Sequence, residues 1–332
     1  MIDRRTLITS AAALTLSACK RSTDPFRIGS EVSPLSTGIK HVVAPWIDAV
    51  SRENPAFNIA RYWGGTLGKD SFRQYDLVRT GVLDAGWILP DYTAGQFPQM
   101  GLFGLPFLFE TADEASAIGW ALHQKGLLSG FDVVKLIGFF TTEPNTLFLR
   151  TPLTNLDGLH NLKIRSLGPI QTRWLTLYDA APQALSAVDM NQALSRGSLD
   201  GAIQGWTGMK TFNTFPLVSQ AYAIPVGVTP FLLLLNKARW ESLSPAVRAS
   251  MVQHGGADLA RTGAQAYGRA GSAIKASMKN ATGFTQSTPN PAERARYRAQ
   301  ADGIHRWWIE RTPNGAAVYA ETERLLRSYR AA

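Results

Sequence analysis

Arg165 follows Leu162-Lys163-Ile164 and lies in the short strand Ile164-Arg165-Ser166. A guanidinium offers two parallel N–H donors that match the two oxygens of a carboxylate. The residue could hold a bound acid in that way, or it could sit at the surface and pair with Asp157; spacing alone leaves both open. The other reactive side chains do not assemble into a catalytic pattern. His41, His123, His160, His254 and His305 are spread out and form no H-E-x-x-H pair. No G-x-S-x-G elbow occurs. Gly255-Gly256 falls inside a helical stretch rather than between a strand and a helix, so it is not read as a phosphate loop. No carboxylate cluster points to a metal and no cofactor motif is found, so the expectation is no enzyme, no cofactor and no metal.

The single cysteine, Cys19, excludes an intramolecular disulfide, and its position carries more information than its count. Arg4 and Arg5 make a positive start, and Leu7 to Leu16 is apolar but too short for a stable membrane span. Leu16-Ser17-Ala18-Cys19 resembles a lipoprotein lipobox, and Arg4-Arg5 resembles a twin-arginine signal. Residues 1–19 therefore read as a signal peptide of lipoprotein type, with Cys19 lipidated, and 20–25 as a tether to a membrane surface. The remaining chain is long enough for two α/β lobes. Its 45% apolar and 18% charged residues are a globular composition. The formal charge of +9 is scattered, without the dense basic and aromatic interleaving of a nucleic-acid binder, and reads as a solvated surface.

Several elements must position Arg165. Phe26 to Ser30 reads as a strand, Ser36 to Ser51 as an amphipathic helix, Phe57 to Trp63 as a strand and Asp70 to Thr80 as a helix ended by Gly81; Val82 to Ile88 is again a strand. This β-α-β-α-β order predicts a parallel sheet covered by helices. A second set follows: strands over 133–139, 146–150, 164–166 and 199–204, with helices over 170–179 and 188–195. Phe231 to Leu235 is apolar throughout, as in a strand buried on both faces. One long helix is expected over 245–281, then helices over 291–310 and 315–330. Thr141 to Asn145 and Gly227 to Pro230 are candidate crossovers between lobes.

Three stretches together resemble the substrate-binding proteins of tripartite ATP-independent periplasmic (TRAP) transporters, the DctP family. They are Gly64-Gly-Thr-Leu-Gly68 with the helix to Gly81-Val-Leu-Asp84; Phe97-Pro98 with Leu105-Pro-Phe-Leu-Phe109; and Leu156-Asp-Gly-Leu-His-Asn-Leu-Lys-Ile-Arg165, continuing through Ala181-Pro182 to Asn191-Gln-Ala-Leu-Ser-Arg-Gly197-Ser-Leu-Asp-Gly201. The resemblance implies a two-lobe α/β fold of the periplasmic-binding-protein type (type II), with parallel-rich sheets, crossover strands and a long connecting helix. The expected lobes are 26–142 plus 231–268, and 143–230 plus 269–332. It implies a periplasmic protein that closes over a small organic acid. The partners would be two integral membrane subunits; a sensor presenting the same kind of ligand to a receptor is the alternative.

By the same resemblance, Arg165 anchors the ligand carboxylate. Asn145 stands where some members carry a second arginine, Gln204 where some carry an asparagine, and Ala187 where an aromatic often covers the ligand. Asn161 replaces a turn glycine but tolerates the left-handed backbone. One matched arginine rather than two favours a monocarboxylate. Trp206, Trp63, Trp87 and Tyr92 are candidate aromatic walls, with core packing as the alternative for each. Asp70 and Asp91 read as helix caps or surface groups, and Asp200 as structural.

Overall fold

The structure, a computed structural model, describes residues 24–331. The expectations at Arg4, Arg5 and Cys19 lie outside the described residues. Within them the chain forms strands β1 (Phe26–Gly29), β2 (Ile59–Tyr62), β3 (Ala85–Ile88), β4 (Val134–Thr141), β5 (Thr146–Leu149) and β6 (Lys163–Ser166). It continues with β7 (Ala181–Ala184), β8 (Gly201–Gln204), β9 (Gln220–Tyr222), β10 (Pro230–Asn236) and β11 (Thr285–Ser287). Two helix-flanked sheets result, one per lobe, in the orders β2-β1-β3-β10-β4 and β11-β9-β5-β8-β6-β7.

The parallel sheet expected from the first βαβαβ unit is present where β1 pairs with β2 and β3. The structure then departs from it, because β10 returns from the second lobe and inserts antiparallel between β3 and β4. That central position explains the all-apolar run: Leu232, Leu233, Leu234 and Leu235 are fully buried. In the second sheet β6 lies parallel between β7 and β8, while β5 runs antiparallel to β8 and β9.

The flagged crossover segments join the lobes and pair with each other. The Thr142 and Asn145 amides donate to the carbonyls of Thr229 and Gly227. The Thr229 amide donates to the Thr142 hydroxyl, and its own hydroxyl donates to Asn145 Oδ1. The hinge is thus a short doubled ribbon rather than two loose linkers. The last helix, Gly315–Ala331, packs on Pro291–Arg311 and also on Ala112–Gln124 of the first lobe, where Arg330 donates to both carboxylate oxygens of Glu114 at 2.9 and 3.0 Å. Helix Ala112–Gln124 was not expected from the sequence, although Thr111 and Glu114 form a capping box at its start.

The long helix expected over 245–281 is two helices, Pro245–Gln253 and Gly256–Ser277. The chain breaks at Gly255-Gly256, where Gly256 takes φ +57°, a left-handed value that opens the helix to a new direction. Helix Gly256–Ser277 then lies along β4 and reaches helix Trp206–Thr211 of the second lobe, so it braces both lobes. Its close approach to β4 depends on Gly263, where an added Cβ would lie 2.4 Å from Phe140 Cβ.

These facts set opposite expectations for two glycines. Gly263→Ala forces the helix off β4 and should cost about 1–3 kcal/mol, the usual range for overpacking. Gly303→Ala, in helix Pro291–Arg311 with nothing within 4 Å of the new Cβ, should gain up to about 1 kcal/mol from helix propensity. Urea unfolding of the two variants checks this; equal effects would show that the helix does not bear on β4 as described.

Candidate ligand-binding site

Arg165 sits on β6 between the two strands that hold its side chain. It is fully buried. Nε donates to the Leu185 carbonyl beyond β7 at 2.9 Å, and Nη1 donates to the Ile203 carbonyl of β8 at 3.0 Å. Nη2 makes a longer contact, 3.4 Å, to the Tyr92 hydroxyl of the first lobe. A guanidinium has five N–H donors, so one N–H on each terminal nitrogen is left without a protein acceptor. Among the described residues no carboxylate lies within ion-pair distance of Arg165; Asp157, its possible surface partner, pairs with Arg296 instead at 2.9 Å. Burial lowers the arginine's basicity, and Tyr92 and then Asp91 partly offset that.

The guanidinium lines a cavity between the lobes. Glu31, Ser36, Ser71, Trp87, Leu89 and Tyr92 come from the first lobe, and Leu167, Ala187, Gln204 and Thr207 from the second. Thr142 and Thr229 of the hinge, Phe231 of β10 and Tyr267 of the bracing helix also line it. Several of these residues follow the carboxyl ends of β1, β3, β6 and β8, where open parallel sheets place their ligands. The wall is mostly apolar: Trp87 lies beside Phe231 with ring centroids 4.5 Å apart, and Phe231 stacks on Tyr267 at 5.6 Å.

Tyr92 links the lobes at the arginine. Its hydroxyl accepts from the Ala187 amide at 2.9 Å as well as from Arg165. Burial raises its pKa, so the phenol keeps its proton and can still donate it. Asp91, expected as a cap or surface group, instead turns a carboxyl inward. Its Oδ2 is buried without a hydrogen-bond partner, and burial pushes its pKa up to about 7 against the pull of Arg165. Asp70 does cap a helical turn, accepting from the Phe72 amide. Asp200 is structural, accepting from the Lys163 amide at 2.8 Å.

Of the residues singled out in the sequence, the structure brings Arg165, Gln204, Tyr92 and Trp87 to this one cavity. Three others lie elsewhere. Asn145 is in the hinge, bonded to Thr229, and faces a second, more open hollow. Trp206 is packed in the second lobe's core against Phe148, at 5.0 Å and nearly perpendicular. Trp63 packs on the first lobe's core. Glu31, Ser71, Thr207, Phe231 and Tyr267 carried no sequence signal of their own. The rule that ligands gather beyond strand ends would have pointed to Glu31, two residues after β1. Among the described residues no group of three or more His, Cys, Asp or Glu side chains is placed to hold a metal.

The chain resembles known proteins along most of its length. The sequence model of DctP, described as bacterial extracellular solute-binding protein, family 7, matches residues 28–311. A curated relative is the C4-dicarboxylate-binding periplasmic protein DctP of Rhodobacter capsulatus, 23% identical over 272 residues that cover 76% of this chain and 78% of that protein. Another, the uncharacterized protein YiiZ of Salmonella typhimurium, is 26% identical over 181 residues, 51% of this chain and 54% of that one, so the chain spans about half of its length. Among solved structures, a marine-metagenome TRAP solute-binding protein specific for aromatic acid ligands, in complex with metahydroxyphenylacetate, has a TM-score of 0.85 at 24% identity, covering 92% of this chain and 98% of that one. A TRAP solute-binding protein from Rhodoferax ferrireducens with copurified benzoate has a TM-score of 0.82 at 24% identity, covering 93% and 100%. These structural likenesses establish a shared two-lobe fold. With the family model matched over well above half of its length, the chain belongs to the DctP family of bacterial extracellular solute-binding proteins.

Proposed function

We propose that this protein captures a small monocarboxylate with an apolar, preferably aromatic, body between its lobes and delivers it to the membrane subunits of a TRAP-type secondary transporter. The observation that carries the reading is Arg165: a fully buried cation with no carboxylate partner and two free N–H groups beside an interlobe cavity. A buried charge needs a counter-charge, and a ligand carboxylate would supply it by accepting the two free donors. Among the described residues lining the cavity Arg165 is the sole arginine or lysine. That argues against a dicarboxylate, although one relative is named for binding one. The aromatic walls suit a ring, and two structural neighbours hold metahydroxyphenylacetate and benzoate. In this reading 26–142 plus 231–268 and 143–230 plus 269–332 are the bodies that close. The mature protein is periplasmic and held at a membrane through lipid on Cys19; Cys19→Ser should release it, and unchanged membrane partitioning would remove that part.

Thermal shift against benzoate, 3-hydroxybenzoate, mandelate, succinate and glucose tests the ligand class, since a ligand of the native state raises the midpoint by mass action. Aromatic monocarboxylates should stabilise most; a response confined to glucose contradicts the reading. Arg165→Lys keeps the charge but loses the fork, and Arg165→Ala removes both. The first should weaken binding by about tenfold or more and the second by a hundredfold or more, since removing one partner of a buried ion pair costs about 3–5 kcal/mol. Wild-type affinity in Arg165→Ala would exclude it as the anchor.

The affinity should also depend on pH. Burial raises the carboxyls of Asp91 and Glu31 to about 7, so both are mostly protonated below that value and anionic above it. An incoming carboxylate beside Arg165 repels their charged forms, so binding above about pH 7 must be accompanied by proton uptake. Tyr92, with its raised pKa, stays neutral throughout. The affinity should therefore be level from pH 5.5 to 6.5 and fall by about tenfold or more per unit above 7. Asp91→Asn should make that fall shallower, leaving the step due to Glu31. A profile flat from pH 6 to 8.5 would show that neither carboxyl feels the ligand.

A further inference from the structure

We infer that Glu31 is a specificity-determining residue of the same cavity and that the ligand carries, besides its carboxylate, a hydroxyl group that hydrogen-bonds the Glu31 carboxyl. This rests on the preceding reading of Arg165 as the carboxylate anchor.

Glu31 lies two residues beyond β1 in the first lobe, and Arg165 lies on β6 in the second. Both line the one interlobe cavity. Tyr92, whose hydroxyl touches Arg165, is close enough to Glu31 to feel its charge. The two groups thus face one hollow from opposite lobes. A ligand that satisfies both must have an acidic end and a second, hydrogen-bonding group.

The chemistry of the carboxyl points the same way. Among the described residues no cation pairs with Glu31. Ser30 Oγ donates to Oε2 at 3.1 Å, while the Glu31 backbone amide and Ser71 also favour the charged form. The Ser30 hydroxyl is itself fixed, since it accepts from the Val32 amide at 3.3 Å. A protonated carboxyl carries an O–H donor as well as acceptor lone pairs, so hydrogen-bonding capacity remains beyond the Ser30 contact. An apolar group placed there would strand a partly desolvated carboxyl, which is unfavourable. Burial that favours the neutral form also makes a neutral hydroxyl a better match than an ammonium group.

The arrangement has a mechanical consequence. A simple apolar acid would engage Arg165 on the second lobe and only apolar surface on the first. A hydroxy acid would bond to both lobes at once, so its second hydrogen bond forms only when the lobes are together. Glu31 therefore rewards closure as well as identity.

Calorimetric titration at pH 6 of benzoate, 3-hydroxybenzoate and 3-methoxybenzoate tests the inference in the wild type, Glu31→Ala and Glu31→Gln. In the wild type the hydroxy acid should bind roughly tenfold to a hundredfold more tightly than benzoate, the range expected when a hydrogen bond to a buried carboxyl is made or left unmade. In Glu31→Ala the ratio of hydroxy acid to benzoate should collapse to about one, whatever happens to the absolute affinities. Glu31→Gln, which keeps an acceptor, should retain much of the ratio. A hydroxy acid bound no more tightly than benzoate overturns the inference, as does a preference that survives in Glu31→Ala. If all three acids bind equally well, Glu31 is not a reader while the Arg165 assignment stands; if none binds, both fail.

Discussion

A guanidinium taken out of water without a carboxylate beside it is the constraint on which this structure turns. Desolvating such a group costs several kcal/mol, which close partners must offset. Here the offset is partial: two backbone carbonyls, Leu185 and Ile203, accept from Arg165, and a tyrosine hydroxyl makes a long third contact. The carbonyls come from the chain beyond β7 and from β8, the two neighbours of β6, so sheet order itself orients the fork. The donors left over have a fixed direction before any ligand arrives. Pre-set donors of this kind lose little entropy on binding, which is why a planar anion is recognised by them.

The two lobes convert that local demand into a closing device. Arg165 belongs to one lobe, and Tyr92, Trp87 and Glu31 belong to the other. The hinge between them is a doubled ribbon around Thr142, Asn145, Gly227 and Thr229. Glu143, in the same ribbon, is buried and accepts from the Thr207 amide and hydroxyl at 2.8 and 3.0 Å, and Thr207 lines the cavity. Hinge and cavity wall are therefore joined by direct hydrogen bonds. The helix Gly256–Ser277 runs past both, presenting Tyr267 to the cavity while pressing Gly263 against β4. A ligand bridging the lobes acts on a few well-defined contacts rather than on a diffuse interface.

Much of this could be read in the residues. Apolar runs bounded by turn residues mark β1 to β6, β8 and β10 to within a few residues, whereas β7, β9 and β11 are short, lack such a run and are not anticipated. The left-handed turn at Asn161, φ +62°, was anticipated from what asparagine tolerates. What could not be read were pairings set by long-range return of the chain. Nothing in Phe231 to Leu235 says that the strand inserts antiparallel into the first sheet. The break at Gly255-Gly256 was hidden because helical periodicity continues on both sides of it. For the site, Arg165 was legible from its surrounding motif. Trp206 and Trp63 were not separable from wall residues, since an aromatic looks the same whether it faces a ligand or the core. Glu31 and Asp91 look like surface carboxylates in sequence; only the fold desolvates both and brings Asp91 near Arg165.

The central claim is that the buried fork of Arg165 is completed by a ligand's carboxylate. Calorimetric titration of 3-hydroxybenzoate against its isosteric amide, 3-hydroxybenzamide, tests it most directly, because the two share ring, hydroxyl and shape and differ in charge and in one acceptor. The acid should bind at least about a hundredfold more tightly than the amide. Equal affinities for the two would contradict it.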